Sequence, residues 1–191
     1  MAITIRNSSR RLSGVCIVTA TVLVGLFGLP GSASAATSAS TAPKGNSCSL
    51  NLGTGTLTCV PNGEDLNAAV LREQGVRVVV PTGARGATSA AALPASVLTT
   101  YVQSQLYDDA NYGGSFFQIT NGAQCNGSTV FVLSTLSNYG WSGRVSSFKS
   151  FSNCSTKVWQ GTHESGTAYG YDVNAAGLGS MNDQANSVST R

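Results

Sequence analysis

The chain has 191 residues, of which 10% are charged, and a formal net charge of +3. That length bounds it to one or two domains. The basic excess comes from Arg6, Arg10 and Arg11; beyond residue 35, the 8 Lys/Arg that remain (11 less these 3) face 8 Asp/Glu, which leaves no electrostatic footprint for nucleic acid or an anionic membrane.

Residues 1–35 read as an export signal. The three arginines precede an apolar run from Val15 to Leu29, and Ala33-Ser34-Ala35 supplies the small residues of a cleavage site. The run is too short, and too near that site, for a permanent membrane helix. An Ala/Ser/Thr spacer follows over 36–45. Cys48 to Val60 alternates like a hairpin. Asn62 to Gly75 reads as a short helix with Asn62 as its cap, Glu64 and Asp65 in its first turn, and a closing glycine. Val76 to Val80 makes a strand stopped by Pro81, and 82–94 is a Gly/Ala/Ser/Thr-rich linker. This front portion holds too few large apolar residues for a core of its own.

From Thr99 the pattern turns to short strands, at 101–106, 115–120, 129–133, 144–151, 157–160, 167–172 and 187–190, separated by Gly, Asn and Ser. That rhythm predicts an all-β sandwich. Phe116, Phe117, Phe131, Tyr139, Trp141, Phe148, Phe151 and Trp159 are its candidate core; Trp141, between Gly140 and Ser142, is alternatively an exposed anchor for a partner.

One stretch carries a folding signature. Tyr107-Asp-Asp-Ala-Asn-Tyr112-Gly-Gly114 places two aromatics and a glycine at the spacing of a sharply folded Greek-key hairpin. In it Tyr112 covers the turn and Gly114 takes φ > 0, which a β-carbon opposes. Fifty-two residues on, Trp159-Gln-Gly-Thr-His163-Glu164-Ser-Gly166 repeats the leading aromatic and the glycine. Two such units over 99–191 resemble the βγ-crystallin domain. The resemblance implies a double Greek-key sandwich over 99–191, preceded by a hairpin-helix segment over 36–98.

In that family each unit closes on two Asx residues, two variable residues, Ser/Thr and Ser, a run that builds a calcium site across the two units. The first copy, Ser142-Gly143-Arg144-Val145-Ser146-Ser147, lacks both Asx residues. The second, Asn182-Asp183-Gln184-Ala185-Asn186-Ser187, carries Asn at the Ser/Thr position. By the family rule Asp183 and Ser146 share one weak calcium site, and the other is left with Gly143 and Asn186. Calcium wants six to eight oxygens, several of them anionic. Ser147 and Ser187 are implied to hydrogen-bond the hairpin bend of their own units. Asp108 and Asp109 read as turn formers, with a carbonyl or carboxylate to spare for calcium.

Four cysteines follow the signal: Cys48, Cys59, Cys125 and Cys154. An oxidising exterior favours two disulfides among three possible pairings, and Cys48–Cys59 with Cys125–Cys154 is preferred because each closes a local loop. No Cys-x-x-Cys pair points to a thiolate metal site.

Catalysis has little to build on. The only histidine is His163, and the chain carries no nucleophile elbow, zinc helix, phosphate loop or dinucleotide fingerprint. The leading reading is therefore a secreted, non-enzymatic crystallin-like protein that binds calcium weakly. The chain also resembles a family of secreted actinobacterial metalloproteinase inhibitors of crystallin fold, which share the signal peptide, domain size and four cysteines. That likeness implies a secreted proteinase as partner, met by an exposed loop at 134–143 or 125–129. A third reading is an antimicrobial or killer-toxin-like protein.

Overall fold

The computed structural model describes residues 45–86 and 98–191. The expected export signal, nearly all of the expected spacer and much of the expected linker lie outside the described residues. Strands β1 (Asn46–Asn51) and β2 (Thr56–Pro61) form the expected hairpin, with Cys48 directly opposite Cys59 and joined to it by a disulfide. Helix α1 spans Leu66–Gln74. Its cap is Asp65, whose carboxylate accepts from the Ala68 N–H at 2.9 Å, rather than Asn62. Asn62 is spent earlier, its own N–H bonding the Gly45 carbonyl at 3.1 Å. The helix ends as expected on Gly75, at φ 66°, whose N–H caps the Leu71 carbonyl.

β3 (Val76–Val79) leads towards the sandwich, which comprises β4 (Leu98–Asp109), β5 (Gly113–Asn121), β6 (Phe131–Leu133), β7 (Ser147–Ser150), β8 (Thr156–Trp159), β9 (Ala168–Asp172), β10 (Asn174–Ala175) and β11 (Ser187–Thr190). The fold is all-β apart from α1 and three single turns of 3-10 helix among the described residues. One sheet runs β10-β7-β4-β5-β1-β2, with β3 parallel to the start of β4, and the other runs β6-β11-β8-β9. Each Greek-key unit thus lends its third strand to the other's sheet: β6 leaves the first unit for the second sheet, and β10 makes the reverse crossing. Neither unit can be completed without the other.

Between the sheets lie Leu50, Leu106, Phe117, Ile119, Trp141, Phe148, Val158 and Val188, all essentially inaccessible. Trp141 belongs to this interior, its ring 5.5 Å from that of Phe117, and is no exposed anchor. Trp159, by contrast, is only half-buried, because β8 alternation turns Thr156 and Val158 inward and Lys157 and Trp159 outward.

A second core covers the outer face of the first sheet. Leu66, Ala69 and Val70 of α1 pack with Val60, Val78, Val102, Tyr107 and Phe116. Beside them runs a polar layer without access to water. Gln105 donates to Gln118 Oε1 and to the Arg85 carbonyl, both at 2.9 Å, and its Oε1 accepts from the Arg85 N–H at 2.9 Å. Gln118 in turn donates to Ser49 at 3.2 Å and to Asn67 Oδ1 at 3.0 Å, while Asn67 donates to the Gly86 carbonyl. The front portion, too poor in apolar residues for a core of its own, makes one by sharing the sheet: β1 pairs in parallel with β5 over Cys48–Asn51 and Phe117–Thr120.

The two disulfides close loops with sequence separations of 11 and 29 residues, and each is worth roughly 2 to 4 kcal/mol in chain entropy. Because α1 is part of the folded unit, Leu66→Ala is expected to lower global stability by about 2 to 5 kcal/mol in chemical denaturation. An unchanged unfolding midpoint would mean that the helix is a detachable appendage.

Candidate functional site

The two hairpin bends organise everything around them. In the first, Tyr107 ends the buried run of β4, and Asn111, Tyr112 and Gly114 take φ of 55°, 63° and 69°. Ser147 closes the bend: its Oγ donates to the Asp109 carbonyl at 2.6 Å and accepts from the Tyr112 N–H at 3.0 Å. Tyr112 stands edge-on to Tyr107 with ring centroids 5.8 Å apart. In the second, His163, Glu164 and Gly166 take φ of 54°, 57° and 75°. Ser187 Oγ donates to the Gly161 carbonyl at 2.7 Å and accepts from the Glu164 N–H at 3.1 Å. Tyr107 and Trp159, Tyr112 and Glu164, and Ser147 and Ser187 therefore occupy matching places.

The surroundings of the two bends differ. Tyr107 is fully buried and donates its hydroxyl to Gln105 Oε1 at 2.8 Å. Burial pushes that hydroxyl well above the usual phenol range, against the opposing pull of Arg85. Arg85 also clamps the bend from outside, donating to the Gly114 carbonyl at 2.8 Å. Nothing in the sequence of a Gly/Ala-rich linker marks Arg85 for this role. Trp159 has a looser setting: its Nε1 donates to Ser189 Oγ at 3.1 Å, and Lys157 Nζ lies 3.9 Å from its ring centroid.

The cross-unit pairs meet next to these bends. Ser146 Oγ lies 2.8 Å from Asp183 Oδ1 and 2.5 Å from the Asp108 carbonyl oxygen. Three oxygens thus converge on a single hydroxyl proton, which can satisfy one acceptor well and not both. Asp183 Oδ2 is tied to Asn182 Nδ2 at 2.9 Å, and the Asp183 N–H bonds the Val145 carbonyl at 3.0 Å. A cation would relieve this surplus of lone pairs, and the protein offers calcium one carboxylate, one hydroxyl and one carbonyl of the six to eight oxygens it takes.

Its counterpart is differently made. Ser142 Oγ donates to Asn186 Oδ1, and Asn186 Nδ2 donates to the carbonyls of Gln160 at 2.5 Å and Gln184 at 3.2 Å. The Gly143 N–H bonds the Ala185 carbonyl at 2.9 Å. Amide protons serve the three carbonyls there and a hydroxyl proton serves Asn186 Oδ1, and no carboxylate takes part.

Asp108 and Asp109 diverge. The Asp108 carboxylate is held by Arg144, whereas the Asp109 carbonyl serves Ser147. His163 is exposed in its turn, with its N–H on the Ser134 carbonyl at 2.8 Å. The groove beside it, lined by Leu50, Val132, Asn138 and Tyr139 among others, contains no carboxylate or thiol. Among the described residues no three His, Cys, Asp or Glu side chains gather as metal ligands, and no helix is long and apolar enough to cross a membrane.

Of the two candidate partner loops, 134–143 is pinned by the buried Leu136 and Trp141. The other is free. Residues 126–130 are exposed, anchored by the Cys125–Cys154 disulfide and ordered by Asn126 Oδ1, which accepts from the N–H groups of Ser128 at 3.0 Å and Thr129 at 2.8 Å.

No family model matches the chain, and neither does any curated protein sequence. Similar solved structures include the N-terminal domain of Protein S, 16% identical over 47% of this chain and 94% of that one, with a TM-score of 0.37. A mutant βγ-crystallin domain from Clostridium beijerinckii is 23% identical over 46% of this chain and 95% of its own, with a TM-score of 0.36. A clostrillin double mutant in complex with nickel is 24% identical over 46% and 95%, with a TM-score of 0.33.

The paired bends make a quantitative comparison possible. A Cβ at Gly114 would lie 2.8 Å from Asp109 Oδ2 and 3.0 Å from Asp108 Cβ, whereas at Gly166 the nearest atom is 3.4 Å away. Both glycines sit in the left-handed region, so alanine costs about 1 to 2 kcal/mol at either. Gly114→Ala is expected to cost measurably more than Gly166→Ala in thermal or urea unfolding; equal losses would contradict the crowding at Asp108 and Asp109.

Proposed function

We propose that the chain is an exported, non-enzymatic binding module of crystallin type that takes up calcium weakly at one cross-unit site. The observation that carries this reading is the convergence of Asp183 Oδ1, Ser146 Oγ and the Asp108 carbonyl around one proton. Two disulfides support an oxidising destination. Water completes the coordination, and the low ligand charge places the affinity with extracellular modules at about 10⁻⁴ to 10⁻³ M. Nucleic acid and membrane surfaces are not among its partners in this reading, because the charge beyond residue 35 is balanced.

A second reading, inhibition of a secreted proteinase, is favoured by the exposed, disulfide-anchored loop at 126–130. A loop already ordered before binding loses little freedom when it docks. Val130, at 44% exposure, gives it apolar contact surface, continued by Val132 of β6 at 39%.

Calorimetric titration separates the two cross-unit sites. Asp183→Ala is expected to abolish calcium binding and Asn186→Ala to leave it intact; the reverse pattern would overturn the assignment. For the second reading, a panel of secreted metalloproteinases and serine proteinases is expected to include an enzyme whose inhibition falls at least tenfold when Val130 is changed to Asp. Full activity across the panel in the presence of the protein would exclude it.

A further inference from the structure

Arg144 occupies a variable place in the first closing run, yet its surroundings are the most ordered of any cation among the described residues. Its Nε and Nη2 donate to the two carboxylate oxygens of Asp108, both at 2.8 Å, and Nη1 donates to the Gly140 carbonyl at 2.9 Å. Its guanidinium also lies 4.2 Å from the ring centroid of Trp141. The ion pair is largely withdrawn from water, with side chains 15% and 22% exposed. Fork-on-fork pairs of this kind are strong and geometrically fixed.

Asp108 is also the residue whose carbonyl belongs to the oxygen cluster with Ser146 and Asp183. One residue therefore turns its carbonyl towards the cluster and its carboxylate towards a fixed positive charge. In the second site the matching carbonyl, that of Gln160, also faces the cluster, but no carboxylate or cation accompanies it. By the spacing of the two units, Gln160 stands in place of Asp108 and Gln184 in place of Arg144, so cation and carboxylate are present together in one copy and replaced together in the other.

We propose that Arg144 is a tethered cation that takes over the electrostatic part of a metal ion at the Asp183–Ser146 site, keeping its calcium affinity low and its cross-unit contact independent of metal. The inference rests on the calcium reading above. Two effects act in the same direction. The guanidinium withholds the Asp108 carboxylate from the cluster, and its charge opposes the arrival of a dication in a partly desolvated setting. Arg144 touches no metal ligand side chain itself; it sets the specificity of the site through Asp108.

The test is calcium titration of the purified wild type, Arg144→Gln and Arg144→Lys by calorimetry, with melting temperatures measured in chelator and in calcium. Arg144→Gln is expected to bind calcium about tenfold or more tightly than the wild type. It should also melt lower than the wild type in chelator and recover in calcium. Arg144→Lys keeps the charge and is expected to bind as weakly as the wild type. Should Arg144→Gln bind no more tightly, or should Arg144→Lys gain as much, the inference falls while weak binding by the wild type stands. Binding by Arg144→Gln alone, with none by the wild type, would uphold the tethered cation and remove the weak wild-type site. Binding by neither removes both. If Arg144→Gln does not fold, Asp108→Asn decides: it leaves the guanidinium uncompensated and is expected to abolish calcium binding, and wild-type affinity in that variant would overturn the proposal.

Discussion

The hydroxyl of Ser147, and that of Ser187 in the second unit, is the contact on which the rest of the structure depends. Each bend places two consecutive non-glycine residues in the left-handed region, Asn111 and Tyr112 in one and His163 and Glu164 in the other. At about 1 to 2 kcal/mol per residue, such a bend is unfavourable unless something holds it. The serine does so from the fourth strand of the unit, donating to one backbone carbonyl of the bend and accepting from one N–H. The sharp fold sets where the second strand starts, and with it the register of β4 on β5 and of β8 on β9. It also frees the third strand to cross to the opposite sheet, so that the two units close on each other.

Pseudo-symmetry then breaks on the outside of the sandwich. The first sheet is extended at its edge by the β1–β2 hairpin and carries α1 and the Arg85–Gly86 strap on its outer face, and Tyr107 is sealed beneath them. On the second sheet the matching Trp159 is half-exposed, steadied by Lys157 and Ser189. The same division appears at the cross-unit sites, one built from oxygens and an ion pair, the other from neutral amides. The two units share one bend geometry, and the side chains placed on it give each copy different surroundings.

Much of this was legible in the sequence where the backbone itself demands a residue type. Gly114 and Gly166 are required by positive φ and the cysteine pairs by local loop closure, and these could be read from spacing, whereas the place of Ser147 and Ser187 at the bends followed from the family resemblance. The closing glycine of α1 was legible for the same reason, whereas its cap was misplaced by three residues because Asn62 and Asp65 are equally good cap formers. The outer layer was not legible. Gln105, Gln118, Ser49 and Asn67 alternate with apolar neighbours as if they faced water, and only the long-range pairing of β1 with β5 reveals that they face one another. The two-residue β10 carries no periodicity to detect, and the interior position of Trp141 follows from a turn whose flanking residues, Gly140 and Ser142, suggested exposure. The roles of Arg144 and Arg85 were invisible because the Asp108 carboxylate and the Gly114 carbonyl that hold them lie far away in the chain.

Native-state hydrogen exchange at two amides tests the central claim directly. The N–H groups of Tyr112 and Glu164 lie in bends near the surface, where unanchored amides exchange freely, yet each is bonded to a buried serine hydroxyl. If those hydroxyls hold the fold, both amides exchange only through global opening, with the same free energy as the central amides of β4 and β8. Exchange as fast as that of the exposed Asn126–Val130 loop would show that the bends open on their own, and that the sandwich does not depend on them.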